Sequence, residues 1–391
     1  MESTFRNRWP LALSQFLLAL ILCLPGTVAE AQSPTALSGG NQGTLDDLAR
    51  FISGLPQTRD GSPFKAMENT KAWTDHRDSM QSHWKKLRDL RLGKMEAWYE
   101  SDFKDLYDPS LTMLYPFSGP DFINAHALYP RAKRYVFFAL EDIDVLPSLS
   151  SMSEAQMGQA LRGIDWALRD IYSKGYFITM HMGSDLNRKR AEGVVPIFMI
   201  FLAHSGHELV SLDRVELSPE GAVSVVDVFT QRRVRGLRVQ FRDRGSDDLQ
   251  ELLYFDVDME NDELEQAPQF SKFIRSLGPT NTFVKAASYL MCCRSFSQTR
   301  ELVLHASQTI FQDDTGIPYR KFDATQWDIQ LFGEYAWPIA QFGTYTHQPR
   351  LKAYYESMDP SKIKHLPFPM GYHYNRPQRQ NHMMVTKKST Q

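Results

Sequence analysis

Apolar residues first recur at helical spacing over residues 72–98, where Trp73, Met80, Trp84, Leu87, Met95 and Trp98 fall three, four or seven apart. Arg91 is the one polar residue on that stripe. The spacing predicts an amphipathic helix bent near Gly93. A tryptophan stripe can hold a sugar, but at helical spacing it reads as core. A shorter helix is expected from Thr44, a cap followed by Asp46 and Asp47 in the first turn.

From Leu111 the pattern changes. LTMLYPFSG is a short apolar run ending in turn residues, PDFINAHALYP can make a short helix, and KRYVFFALEDID is rich in β-formers. Strand, helix, strand is a βαβ unit and makes two parallel neighbours in one sheet. Ser153 then caps a helix whose face is Met157, Leu161, Ile164, Leu168 and Ile171. The almost wholly apolar VVPIFMIFLA (194–203) reads as a strand buried on both faces. The next stretch alternates and predicts antiparallel strands. In residues 235–243, Arg238, Gln240 and Arg242 oppose Leu237, Val239 and Phe241; in residues 249–258, Tyr254, Asp256 and Asp258 oppose Leu253, Phe255 and Val257. With RGSDD between them the two form a hairpin, and the arginines are expected to meet aspartates across its solvated face. FVKAASYLMCCRSF and SFSQTRELVLHASQTIF read as helices, and ATQWDIQLFGEYAW as a strand.

The pattern predicts an α/β (or α+β) protein. Its mixed sheet has a βαβ start and an antiparallel hairpin region, and an N-terminal helical segment packs on it. The expected divisions are a helical segment at 44–108, an α/β domain at 109–374 and a polar tail at 375–391. Ahead of these, Arg6 and Arg8 precede the apolar LALSQFLLALILCL, and Ala29-Glu30-Ala31 offers a small-residue exit. That is the pattern of a secretory signal over 1–31, followed by a small, glycine-rich leader at 32–43. The run is short for a spanning helix, which needs roughly 20 apolar residues, so no membrane span is expected after cleavage.

Charge and cysteine narrow the partners. The chain carries 44 Lys and Arg against 46 Asp and Glu, a net charge of −2, which gives no basic footprint for nucleic acid. Beyond the signal only Cys292 and Cys293 remain. Adjacent cysteines close only a strained ring, and these two read as inert core thiols.

Candidate chemistry is sparse. Asp314-Thr315-Gly316 is the tripeptide of aspartic proteases, but such an enzyme holds it after a β-strand and needs a second copy to share the proton. Here the preceding residues read as a helix and the tripeptide occurs once, so a helix-to-strand turn is expected. Asp313 and Asp314 at a helix C-terminus face an unfavourable dipole, which Arg320 or a ligand cation would relieve. A second candidate is the turn Ser118-Gly119 before Asp121, where a parallel strand runs into a helix start, with Glu141 at the end of the next strand. α/β sheets bind ligands at such places, and Glu141 stands where a nucleotide-binding fold keeps its ribose-binding acid. The shape is similar to the first βαβ of methyltransferases and dinucleotide enzymes, though with one glycine and with Pro120 removing an amide donor. Third, His204 and His207, with His181, would make a divalent-metal set, although the helical His-Glu-x-x-His order is absent.

YPFSGPDF and QDDTGIPYR resemble segments of a group of uncharacterised exported bacterial proteins. That resemblance covers most of the mature chain and implies export, but no activity or catalytic residue. The expected function is therefore an exported ligand-binding or envelope-associated protein, periplasmic or extracellular, whose partner is a small molecule or a cell-envelope component. Its cleft would lie near Ser118, Gly119, Asp121, Glu141, His207, Asp313, Asp314 and Arg320. The alternatives are a hydrolase with Asp314, Asp313 or Asp121 as base and His207 orienting water or a metal, and a degenerate nucleotide-binding fold.

Overall fold

Ten strands join in one mixed sheet, ordered β4-β3-β5-β6-β2-β1-β7-β8-β10-β9. In chain order they are β1 Thr112–Pro116, β2 Arg134–Ala139, β3 His207–Leu217, β4 Val223–Val225, β5 Arg235–Asp243, β6 Leu249–Asp256, β7 Thr280–Val284, β8 Ser307–Asp313, β9 Trp327–Phe332 and β10 His382–Lys387. The computed structural model describes residues 42–143, 149, 152–177, 193–230, 234–339, 342–343, 346–375 and 380–388. The expected signal peptide and most of the leader lie outside them. Among the described residues no helix is long and apolar enough to cross a membrane.

The centre of the sheet, β6-β2-β1-β7-β8, is parallel throughout. The expected βαβ unit is there: β1, helix α4 (Phe122–Leu128), then β2 beside β1. On one flank β5 and β3 continue the sheet antiparallel. On the other, β10 runs antiparallel between β8 and β9.

Alternation along each central strand builds two apolar layers. Met113, Tyr115, Tyr135 and Phe137 face one layer with Trp73, Met80, Met95 and Trp98. These last residues belong to helices α2 (Lys71–Leu87) and α3 (Gly93–Trp98), joined by a π-helical turn at Arg88–Leu92. Helix α1 (Gln42–Ile52), α4, α5 (Glu154–Lys174) and α6 (Val195–His204) share that layer. Leu114, Val136 and Phe138 face the other side, against Phe270, Phe273 and Leu302. Helices α7 (Asn261–Glu265), α8 (Pro268–Ser276), α9 (Ser297–Ala306) and α10 (Pro349–Ser357) cover that face. The expected tryptophan stripe is core, and its polar entry has a reason: buried Arg91 donates to the Ile171 carbonyl at 2.6 Å, near the end of α5.

Several expected elements change type. VVPIFMIFLA is helix α6, because apolar contact on every side erases the periodicity that separates helix from strand. FVKAASYLMCCRSF is the end of β7, a loop and short 3-10 turns, so Cys292 and Cys293 are half-buried loop thiols rather than helix core. The helix expected up to Phe311 stops at Ala306, and β8 follows without a turn. Within the expected loose tail, residues 382–387 are strand β10, whose Met383 and Val385 are fully buried. The hairpin of β5 and β6 forms, but its arginines look the other way: Arg238 pairs with Asp213 at 2.9 Å and Arg242 with Glu208 at 3.1 Å, both on β3. Arg235 is the one that reaches Asp256 on β6.

Candidate functional site

At β1 the chain parts. β1 connects onward to β2 on one side, while β7 lies on its other side, so the loops leaving the carboxyl ends of β1 and β7 diverge at the kind of edge where open α/β sheets form their ligand crevice. Among the described residues, four that are not glycine hold a left-handed backbone: Phe117 (φ 57°), Ala286 (51°), Ser288 (51°) and Tyr289 (57°). All four lie in those two loops. Such conformations cost roughly 1–3 kcal/mol each and persist only where the surroundings over-determine them.

The surroundings are polar and buried. Asp121, 1% exposed, caps α4 and accepts hydrogen bonds from Tyr115 Oη at 2.9 Å and Asn124 Nδ2 at 2.7 Å. Lys285, directly after β7, places its Nζ 2.6 Å from Asp121 Oδ2 and donates to the Gly175 carbonyl at 2.8 Å. Burial lowers the Lys285 pKa while Asp121 opposes the shift. Arg91 and Lys285 thus satisfy carbonyls of the last turn and C-cap of α5, where cations are favoured.

On the β2 side of the crevice stand Ser118, Gly119 and Glu141. Gly119 holds a left-handed backbone (φ 51°), which favours glycine, and a Cβ there would sit in ordinary contact 3.5 Å from Glu141 Oε1. Tyr254 Oη donates to the Glu141 carbonyl at 2.8 Å. The Ser118 hydroxyl is buried and has no hydrogen-bond partner among the described residues.

On the β8 side stand the two aspartates. Asp313 accepts from the amides of Ala286 and Thr315, each at 2.9 Å, and from the Thr315 hydroxyl. Burial still raises its pKa. Asp314 accepts from Tyr289 Oη at 2.7 Å, and burial, then the neighbouring Asp313, push its pKa up to about 8. Both effects favour its protonated form. Asp314 follows a β-strand, not a helix, so the dipole conflict expected from the sequence does not arise. Arg320 is exposed on the one-turn helix Tyr319–Lys321, and backbone amides, rather than a cation, serve Asp313.

Ser118, Gly119, Asp121, Glu141, Asp313 and Asp314 therefore share the carboxyl edge of the sheet. The histidines expected from the sequence do not join them, whereas His373 does, its Nε2 3.7 Å from Asp314 Oδ1. β3 runs parallel to β6 through two antiparallel steps, so its first residue, His207, sits at the opposite edge. There its Nε2 lies 3.0 Å from His126 Nε2, and its Nδ1 lies 2.9 Å from Asp243. His204 ends α6 with its ring stacked on Trp84 at 4.4 Å, and burial lowers its pKa to about 4. His181 lies outside the described residues. Among the described residues no group of three or more His, Cys, Asp or Glu is placed to hold a metal ion. The expected pairing of His207 with Asp314 or Asp121 is thus separated by the length of the sheet. Burial raises both thiols, Cys292 to about 12, which leaves them poor nucleophiles.

Sequence reasoning passed over Lys285, Tyr289 and Arg91. The signal for Lys285 was weak: a single charge directly after Phe283 and Val284, which end a buried strand, is costly unless it has a partner. Tyr289 and its strained loop carried no such mark, because alanine, serine and tyrosine give no hint of a left-handed backbone. A scan against protein-family models, a search of curated proteins and a search of solved structures return no significant match to this chain.

Proposed function

We propose that the protein is an exported ligand-binding protein whose site is the carboxyl-edge crevice between β1 and β7. The observation that carries this reading is the confinement of the four strained non-glycine residues to the two loops flanking that crevice. The buried, unpartnered Ser118 hydroxyl supports it. Export rests on the charged, apolar and small-residue order of the first 31 residues.

The crevice also favours a class of ligand. In nucleotide-binding folds the helix N-terminus after the first strand receives a phosphate. Here the Asp121 carboxylate fills that position from within and is neutralised by Lys285. A ligand without phosphate fits this edge better than a nucleotide does. The test is thermal melting of the purified full chain with sugars, peptidoglycan fragments, nucleosides, nucleotides, and divalent metals with and without chelator. At a hundred times its dissociation constant a bound ligand adds about 2.7 kcal/mol. An upward shift with an uncharged organic ligand is expected; a flat response across the panel would sink the reading.

A second reading is favoured by one specific arrangement. The strands β6-β2-β1-β7-β8-β10-β9, with β10 alone reversed, follow the order of a methyltransferase-type sheet, and Glu141 at the end of β2 stands beside Gly119. On this reading Glu141 takes the ribose hydroxyls of an adenosyl ligand, which needs no phosphate cradle. The likeness is one of fold and assigns no reaction. A melting shift with S-adenosylmethionine or adenosine, abolished by Glu141→Gln, would select it over the first.

A further inference from the structure

Five aromatic rings form a continuous belt on the β8 side of the crevice. Tyr289 meets Phe342 at 5.3 Å, Phe342 meets Tyr372 at 5.0 Å, Tyr372 meets Tyr176 at 4.8 Å, and Tyr176 meets Tyr374 at 6.2 Å. The rings come from separate parts of the chain: the loop after β7, residue 342, the 3-10 turn Gly371–His373 with its next residue, and the end of α5. None of the five belongs to any of the three apolar clusters that make the core. Tyr176, Phe342 and Tyr374 are half-exposed. Tyr289 and Tyr372 are nevertheless buried core rings, and core packing does not account for the exposure of the other three.

The belt ends on an acid. Tyr289 Oη donates to Asp314 Oδ2, while Asp314 Oδ1, in a residue 2% exposed, has His373 Nε2 3.7 Å away and accepts no hydrogen bond among the described residues. We infer that the belt is a stacking wall for a neutral sugar ring, with the Asp314 carboxyl group as its hydrogen-bonding end. This inference rests on the ligand-binding reading above and names its ligand class. Three features select a sugar. Neighbouring rings meet at 61°, 82° and 65°, with one pair at 40°, so no parallel pair stands ready to sandwich a planar base. The C–H face of a saturated ring lies against a single aromatic face without needing a second. The belt itself contains no lysine or arginine, and Lys285 nearby is already taken by Asp121 and Gly175, so the described residues of the belt offer a phosphate no cation. The upward shift of Asp314 favours its neutral acid, which would offer a hydroxyl group both a donor and an acceptor.

The test is equilibrium binding to the full chain, followed by calorimetry, of cellotriose, maltotriose and tri-N-acetylchitotriose, with adenosine and S-adenosylmethionine as the contrasting probes. At least one trisaccharide is expected to bind. Phe342→Ala and Tyr176→Ala should each weaken it by tenfold or more, and Phe342→Leu, which keeps most of the volume, should weaken it as much. Thermal melting of each variant checks that the fold is intact. Adenosine binding without sugar binding would overturn the sugar class and leave the ligand-binding reading standing. Sugar binding that all three variants leave unchanged would remove the belt from the site. Failure of every probe would overturn this inference and deprive the reading beneath it of its two leading ligand classes.

Discussion

Replacing Lys285 by methionine isolates the buried pair at the crevice. The change keeps the length and apolar stem of the side chain and removes the ammonium. Asp121 then keeps two neutral donors, Tyr115 and Asn124, but loses its only direct cation. The Gly175 carbonyl keeps a longer contact to Asn124 Nδ2 at 3.3 Å. Removing one member of a buried ion pair costs about 3–5 kcal/mol, because the remaining charge has neither water nor partner. With the pair 2% and 1% exposed, little solvent can enter to relieve Asp121. We expect a loss of about 4 kcal/mol, a large share of the 5–15 kcal/mol typical of a folded domain. Asp121→Asn retains a capping oxygen and leaves the lysine unpaired instead. The double variant Lys285→Met/Asp121→Asn should recover roughly 2–3 kcal/mol relative to the sum of the singles, the upper range for groups in direct contact. Urea unfolding of the three variants at pH 7, read by tryptophan fluorescence, measures both quantities. A single-variant loss below about 1 kcal/mol, or strict additivity, would show that Asp121 does not depend on Lys285 and would undo the account of the filled anion position.

Stability should fall as pH rises from 7.2 to 8. The folded-state pKa of Asp314, about 8, lies above its ordinary 3.8, so in this window the folded chain holds much of a proton that the unfolded chain has released; the slope is up to about −1.4 kcal/mol per pH unit. The buried histidines His126, His204 and His382, lowered to about 3, 4 and 3, act in the opposite sense, because the unfolded imidazoles still bind protons around their ordinary 6.5, so the test starts above that pH. Urea midpoints at pH 7.2, 7.6 and 8 should therefore decline for the parent chain and level off for Asp314→Asn; equal slopes would remove Asp314 as the source. Gly371 holds φ 67° against Asp313, and a side chain there would press into the carboxylate. Gly371→Ala should cost about 1–3 kcal/mol, and an unchanged urea midpoint would contradict that placement.

Much of the scaffold was legible because its signals are local. Ser153 caps α5 with Gln156 completing a capping box, and β1, α4 and β2 are each bounded by turn residues. Legibility failed where the bounding signals are missing. α9 passes into β8 between Ala306 and Ser307 with no glycine or proline to mark the change, so a helical pattern ran on through the strand. β10 hides among polar neighbours because its burial comes from β8 and β9, which lie far away in sequence. The acids of the site could be read at the ends of strands, but their partners could not. Tyr289 reaches Asp314 across 25 residues, and Lys285 reaches Gly175 across 110.

Asp121 ties these observations together. Where a nucleotide-binding sheet leaves backbone amides free for a phosphate, this chain places a carboxylate, and that carboxylate is tolerable only because Lys285 is buried against it. The lysine in turn fixes the start of the loop whose next residues, Ala286, Ser288 and Tyr289, hold strained conformations. Tyr289 then reaches the acid after β8. On the ligand-binding reading proposed above, filling the anion position moves recognition away from backbone amides and towards side chains on the far wall: aromatic faces, hydroxyls and a carboxyl group whose pKa is raised. A wall of that chemistry suits a neutral, hydroxyl-bearing ligand, and the same physical step that closes the edge to phosphate shapes what it can receive.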